Sequence, residues 1–279
     1  MKTLYLTDLD GTLLNDSGVL SERSVKILNE LLDEDVCFTV STARTYATVI
    51  PMFKDVHLKC PLVLMNGVCV YDPLQKKTLS CRSLEPSVIR KVLAVFQDFQ
   101  VLPMLYFEKD SRMRVEYIDL YNQAQADYVH SRINFYNKTF VKVDKFGIDE
   151  TFHPCYAVFL DKKERVEPIY ERLKEFKEIS CNFYPDNYTG NYFLELFGAG
   201  ISKLSGAMRV KDLLGCDKIV AFGDNLNDIP LLTAADEGYA VSNACDEVKR
   251  QASGIIGKNS EDAVALFLEK RFSDGLINQ

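Results

Sequence analysis

Leu4-Tyr5-Leu6-Thr7-Asp8-Leu9-Asp10-Gly11-Thr12-Leu13-Leu14 is an apolar run of β character that ends abruptly in two carboxylates one residue apart, followed by Gly and Thr. In an extended strand, residues two apart share a side, so the spacing predicts that Asp8 and Asp10 reach into one site at the strand's end. Gly11 then lets the chain turn away, because it has no Cβ. Two carboxylates held close together are costly unless a positive charge sits between them, which points to a divalent cation. The plainer alternative is a strand closed by ordinary Asp-x-Asp-Gly turn chemistry. What lies downstream decides between the two.

Outward from that strand, residues 20–34 place Val25, Leu28, Leu31 and Leu32 at helical spacing behind Ser21, a plausible N-cap. Residues 36–42 read as a buried strand ending in Ser41-Thr42-Ala43-Arg44, residues 46–53 as a helix, and residues 62–65 as a short strand closed by Asn66-Gly67. Strands alternating with helices, without hairpin spacing, predict a parallel sheet with crossover helices. In such sheets ligands sit beyond the carboxyl ends of the strands, where Asp8, Thr42 and Asn66 fall.

From about residue 83 the texture changes. An amphipathic helix at 86–99 and another at 166–176 accompany aromatic-rich alternating runs at 102–107, 113–118, 154–160, 181–184 and 192–197, the mark of half-solvated antiparallel strands. After Gly198 the first pattern returns, with a helix at 203–214 and an apolar strand at 218–222 that ends in Gly223-Asp224-Asn225-Leu226-Asn227-Asp228. The expected fold class is α/β: a doubly wound parallel sheet made by residues 1–82 and 191–279, interrupted by an α+β insertion at 83–190.

Composition excludes several functions. A formal net charge of −7 over 279 residues, with no basic run, argues against nucleic-acid and anionic-membrane partners. The N-terminus lacks the pattern of a signal peptide and no run of about 18 apolar residues occurs, so a soluble, cytoplasmic protein is expected. The eight cysteines are scattered without a Cys-x-x-Cys pair and read as reduced thiols.

Asp8/Asp10, Thr42, Lys203 and Asp224/Asn227/Asp228 need one explanation. Carboxylates gathered with a lysine suit Mg²⁺, a hard ion that takes one or two carboxylates together with substrate phosphate. The parts fit phosphoryl transfer through an aspartyl-phosphate: Asp8 attacks, with Mg²⁺ cancelling the repulsion between two anions. Asp10 protonates the leaving oxygen and later takes a proton from water. Thr42 and the N–H groups near Leu9 and Ala43 hold phosphate oxygens, while Lys203 offsets their charge. Asp224 completes the metal shell, and Asp228, Asn225 and Asn227 orient waters, the lysine or the phosphate. Arg44, Asn66 and Asn243 are candidate substrate contacts.

In that order these motifs resemble the haloacid dehalogenase-like hydrolase superfamily, and the insertion resembles the type-two cap of its Cof-type phosphatase branch. The resemblance spans the chain and implies a Rossmann-like core, an α/β cap domain over a site open to solvent part of the time, Mg²⁺ dependence, Asp8 as nucleophile and Asp10 as acid/base. It also implies that residue 10 meets the metal through its backbone carbonyl, within a metal set of Asp8, Asp10, Asp224, Asn225 and Asp228. One departure is visible: Ala43 stands where the family has Gly, which would cost on the order of 1 kcal/mol if φ were positive there. The substrate expected is a small phosphorylated metabolite, with the selecting residues among Tyr184, Asp186, Asn187 and Tyr188. A phosphomutase of the same superfamily and a non-catalytic phosphate-binding module are the alternatives, the second disfavoured by Asp10. Monomer and homodimer are both left open.

Overall fold

The structure, a computed structural model, describes residues 1–136, 138–149, 153–186 and 189–275. Asn187 and Tyr188 therefore lie outside the described residues. In chain order the elements are β1 (Thr3–Thr7), α1 (Glu22–Asp33), β2 (Cys37–Val40), α2 (Tyr46–Met52), β3 (Leu62–Leu64), β4 (Cys69–Asp72) and β5 (Lys77–Cys81). Next come α3 (Pro86–Asp98), β6 (Met104–Lys109), β7 (Arg112–Tyr117), α4 (Gln123–Tyr136), β8 (Thr139–Lys142), β9 (Tyr156–Asp161), α5 (Lys163–Leu173), β10 (Ile179–Pro185) and β11 (Tyr192–Gly198). The chain closes with α6 (Lys203–Leu214), β12 (Lys218–Gly223), α7 (Ile229–Ala234), β13 (Glu237–Val241), α8 (Asp246–Gln251), β14 (Gly254–Ile256) and α9 (Ala263–Ser273). Two compact units result, Met1–Ser80 with Ser202–Gln279, and Cys81–Ile201.

The first unit is built on a five-stranded sheet of order β14-β13-β12-β1-β2, and its four pairings are all parallel. β1 lies inside it, with Leu4, Tyr5 and Leu6 almost wholly buried. Burial on both faces is why its sequence reads as a continuous apolar run rather than an alternation. Ser21 caps α1 by accepting the Ser24 N–H at 2.9 Å. Leu28, Leu31 and Leu32 then bury the inner face of that helix. A parallel bridge between Ser41 and Val63 carries the strand direction on to β3. Register fixes the functional edge: Thr7 is level with Val40 on one side and Phe222 on the other, so the next residues, Asp8, Ser41 and Gly223, stand side by side at the carboxyl ends of these strands.

The second unit is a six-stranded sheet of order β10-β11-β9-β6-β7-β8. Its core packs Ile89, Val92 and Phe96 of α3 and Val166, Ile169 and Leu173 of α5 with Phe107, Phe159 and Leu194 of the sheet. The insertion closes later than residue 190. β11 pairs antiparallel with both β10 and β9, so the ladder keeps residues 192–198 in this sheet and the chain returns to the first unit at Ser202. β8 is a second departure: it pairs parallel to β7, which requires a crossover, and α4 supplies it. The sequence pattern does not announce α4, because Gln125 and Val129 are its buried residues. No helix of the described residues is long and apolar enough to cross a membrane.

Candidate active site

β1 ends at Thr7, and the Asp8 N–H makes the last rung, to the Phe222 carbonyl at 2.9 Å. Leu9–Leu13 then fold into a wide turn closed by the Leu14 N–H on the Leu9 carbonyl at 2.9 Å. Within it Gly11 takes φ 80°, a conformation that side chains disfavour, and a Cβ there would lie 2.5 Å from Asp224 Oδ2. The glycine serves the turn and also leaves room for a carboxylate. Thr12, fully buried, donates its hydroxyl to Asp224 Oδ1 at 2.9 Å and so ties the first motif to the last.

Asp8, Asp224 and Asp228 each bring a carboxylate oxygen within 4.8 Å of the others. Among them Lys203 Nζ lies 2.5 Å from Asp8 Oδ1 and 2.7 Å from Asp228 Oδ1. Asp228 is anchored from its other oxygen, which accepts the N–H groups of Asp224 and Asn225 at 3.2 and 3.1 Å. Lys203 opens α6 behind a reciprocal cap, with Ser202 accepting the Ser205 N–H at 3.1 Å and Ser205 accepting the Ser202 N–H at 2.9 Å. The cap is seated on Gly67 at φ 94°, where any Cβ would run into the Ser202 carbonyl. That contact explains Asn66-Gly67: Met65, Asn66 and Gly67 all take positive φ and bring the loop after β3 under the head of α6.

Charge does not balance in this cluster. Burial drives the Asp8 carboxyl well above the usual range; Lys203 opposes the shift, and Asp228, Asp224 and Asp10 add to it. Burial, then the charge of Asp228, raise Asp224 to about 6. Burial alone would lower the Lys203 ammonium, but Asp228 and Asp8 outweigh it and raise the value. Three carboxylates against one ammonium, in a place that penalises charge, is a set that a hard divalent cation would complete. The oxygen-only donors and the room left by Gly11 fit such an ion.

Several expected positions differ. Asp10 does not join Asp8, because the strand stops before either carboxylate and the two-residue period no longer applies: Asp10 sits in the turn at φ −74°, ψ 118°, with its side chain about half exposed. Its oxygens receive the Arg44 fork, Nε to Oδ2 at 2.7 Å and Nη2 to Oδ1 at 2.6 Å. Arg44, expected at the substrate, is thus engaged with Asp10. Asn225 is a cap: its Oδ1 accepts the Leu226 N–H at 2.8 Å, and it forms a reciprocal cap with Asp228. Asn227 donates to Asn66 Oδ1 at 3.3 Å, and Asn243 donates to the Gly11 carbonyl at 2.7 Å, holding the turn rather than a ligand. Thr42 is buried, and its hydroxyl accepts the Arg44 N–H at 3.2 Å. Leu9 is buried as well, while Ala43 is partly exposed and not among the residues with positive φ, so the missing glycine carries no strain. Thr12 and Asn259 were not foreseen; buried Asn259 donates to the Leu14 carbonyl at 2.9 Å and, from its N–H, to Asn243 at 3.0 Å.

The sequence pattern of a family described as haloacid dehalogenase-like hydrolase matches residues 5–268. The chain is 28% identical over 279 residues to the 5-amino-6-(5-phospho-D-ribitylamino)uracil phosphatase YitU of Bacillus subtilis, covering 97% of each. To the pyridoxal phosphate phosphatase YbhA of Escherichia coli it is 24% identical over 268 residues, covering 94% of this chain and 95% of the relative. Among solved structures, a haloacid dehalogenase-like hydrolase from Bacteroides thetaiotaomicron superposes with a TM-score of 0.78 at 20% identity, over 97% of this chain and 99% of that one.

Proposed function

The chain belongs to the haloacid dehalogenase-like hydrolase family and is a phosphatase that hydrolyses phosphomonoesters, and from that premise we propose that it is Mg²⁺-dependent and works through an aspartyl-phosphate on Asp8. One observation carries this reading: the buried Asp8, Asp224 and Asp228 cluster with Lys203 between Asp8 and Asp228. Asp8, Asp224 and Asp228, with the Asp10 backbone, would hold the ion, which when bound offsets the repulsion between the Asp8 carboxylate and the phosphate. Lys203 grips one oxygen of Asp8 and fixes the plane of its carboxylate. Asp8 forms the bond to phosphorus as the ester oxygen leaves, and Asp10 supplies the proton that oxygen needs. In the second half Asp10 takes a proton from water, the water oxygen bonds to phosphorus, and Asp8 is released as carboxylate. Thr42 and the backbone of residues 9 and 43 are the proposed contacts for the phosphate oxygens.

For the substrate, the two relatives supply the support. One is named for a ribityl phosphate and the other for pyridoxal phosphate, and both molecules are phosphates of primary alcohols carried on small metabolites. A phosphorylated metabolite of that kind, sugar phosphates included, is the proposed class. The test is phosphate release from a panel of such esters, with Mg²⁺ and with chelator, for the native chain and Asp8→Asn. Activity that requires the metal and vanishes in the variant is expected. Turnover by Asp8→Asn would overturn the covalent route, and equal activity in chelator would overturn the metal.

A further inference from the structure

We infer that Arg44 is a positioning residue for the acid/base Asp10, and that it governs proton delivery to the leaving oxygen rather than substrate affinity. The inference rests on the proposed roles of Asp8 and Asp10 and extends them. Both oxygens of Asp10 are taken by one guanidinium, at 2.7 and 2.6 Å, the two-point geometry that arginine has and lysine lacks.

The base of that arm is fixed. The Arg44 N–H donates to Thr42 Oγ1 at 3.2 Å, and its carbonyl accepts the Met65 N–H at 3.1 Å, so the residue is tied to the ends of both β2 and β3. Nη1 rests 3.7 Å from Met52 Sδ, against α2. Asp10 by contrast stands on a turn, with 53% of its side chain exposed. Without the fork, the exposed carboxylate would rotate among its staggered positions.

Magnitude separates two uses of such a pair. With side chains 25% and 53% exposed, it contributes no more than about 1 kcal/mol to the fold. Stability is therefore a poor account of a fork built on a rigid arm. Orientation is a better one, since general acid–base catalysis supplies a factor of about 10²–10⁴ only when the proton donor is held within reach.

The experiment compares p-nitrophenyl phosphate, whose leaving group departs without a proton, with phenyl phosphate and a primary alkyl phosphate, whose leaving oxygens need one. For Arg44→Gln we expect kcat/KM on the latter two to fall about tenfold or more, with kcat/KM on p-nitrophenyl phosphate changing less than about threefold, because that ratio ends with release of the leaving group and leaves out the water step that Asp10 also serves. Arg44→Lys, which keeps the charge but loses the fork, should recover part of the loss. In an Asp10→Asn background, Arg44→Gln should cost nothing further. Equal loss of kcat/KM on all three esters, a change confined to KM, or effects that add to those of Asp10→Asn would overturn the inference. Melting temperatures for each variant separate unfolding from these patterns. Acid-quench trapping of phosphoenzyme on the native chain reports on Asp8 by itself, so failure of the covalent route is distinguishable from failure of the Arg44 assignment.

Discussion

Each unit of this protein buries carboxylates, and each treats them differently. In the second unit Glu116 and Asp161 each have an arginine and a backbone N–H beside them. Glu116, almost wholly buried, meets Arg114 Nη2 at 2.8 Å and the Gly147 N–H at 3.2 Å. Asp161, equally buried, accepts the Lys162 N–H at 2.7 Å and faces Arg165 at 3.3 Å. In the first unit Asp8, Asp224 and Asp228 share the single ammonium of Lys203. A fold that needed them only for stability would have matched them one to one, since an unmatched buried charge is expensive. The surplus of negative charge, rather than burial of charge as such, separates the candidate site from structural polar groups.

That contrast predicts which substitutions abolish chemistry. The largest effect belongs to Asp8→Asn, for which phosphate release should fall at least about a thousandfold while the circular dichroism spectrum is kept, because an amide cannot act as the nucleophile. Next comes Lys203→Met. It leaves two buried carboxylates without their shared cation, so we expect a loss of about 3–5 kcal/mol by denaturant unfolding in chelator, together with a fall in kcat of about 10²-fold. A Lys203→Met protein that unfolded like the native chain would break the comparison, by showing that the surplus charge is not held by Lys203.

How much of this was legible beforehand depends on how far each contact runs along the chain. The parallel sheet, its strand ends and the helix at Lys203 follow from periodicity and caps, which are local. Lys203 itself, taken alone, reads as an exposed lysine at a helix start; its burial against Asp8 spans 195 positions and needs the fold. Thr12 is part of the opening motif, yet its role on Asp224 spans 212 positions and depends on the register of β1 with β12. The turn that carries Asp10 onto the Arg44 fork was not legible, because an alternating pattern reports which face a strand residue takes, but not where the strand stops. The capping role of Asn225 was not legible for a related reason: Asn is as good a cap as a ligand, and composition does not choose between them. In the second unit β7 and β8 run parallel because α4 crosses between them, and a helix buried through Gln125 and Val129 leaves little trace in hydropathy.

A smaller effect sharpens the comparison through pH. The Asp224 carboxyl, raised by burial and then by Asp228 to about 6, is above its ordinary value in the folded chain. A group raised in the folded state contributes stability that is complete below its unfolded value near 3.8 and is lost as pH rises through the folded one. The chelated protein should therefore lose up to roughly 3 kcal/mol from this group between about pH 4 and pH 7. Mg²⁺ competes with those protons, so the difference in melting temperature with and without Mg²⁺ should widen by several degrees as pH passes about 6. A difference flat from pH 5 to pH 8 would remove the metal from the carboxylate cluster.

The smallest effect is expected where the charges already match. Arg114→Ala in the second unit removes one partner of Glu116, whose side chain is 3% exposed while that of Arg114 is 46% exposed. Water already reaches the guanidinium, and the Gly147 N–H still holds the other oxygen, so the cost should be about 1 kcal/mol rather than the several expected at Lys203. Turnover of p-nitrophenyl phosphate should stay within about twofold of the native chain, because the Asp8, Asp224, Asp228 and Lys203 cluster keeps all its charges. A loss of turnover comparable to that of Lys203→Met, at unchanged stability, would mean that a balanced pair can matter as much to the chemistry as an unbalanced cluster. Charge surplus would then cease to mark the site, and the distinction between the two units would have to be drawn from something other than electrostatics.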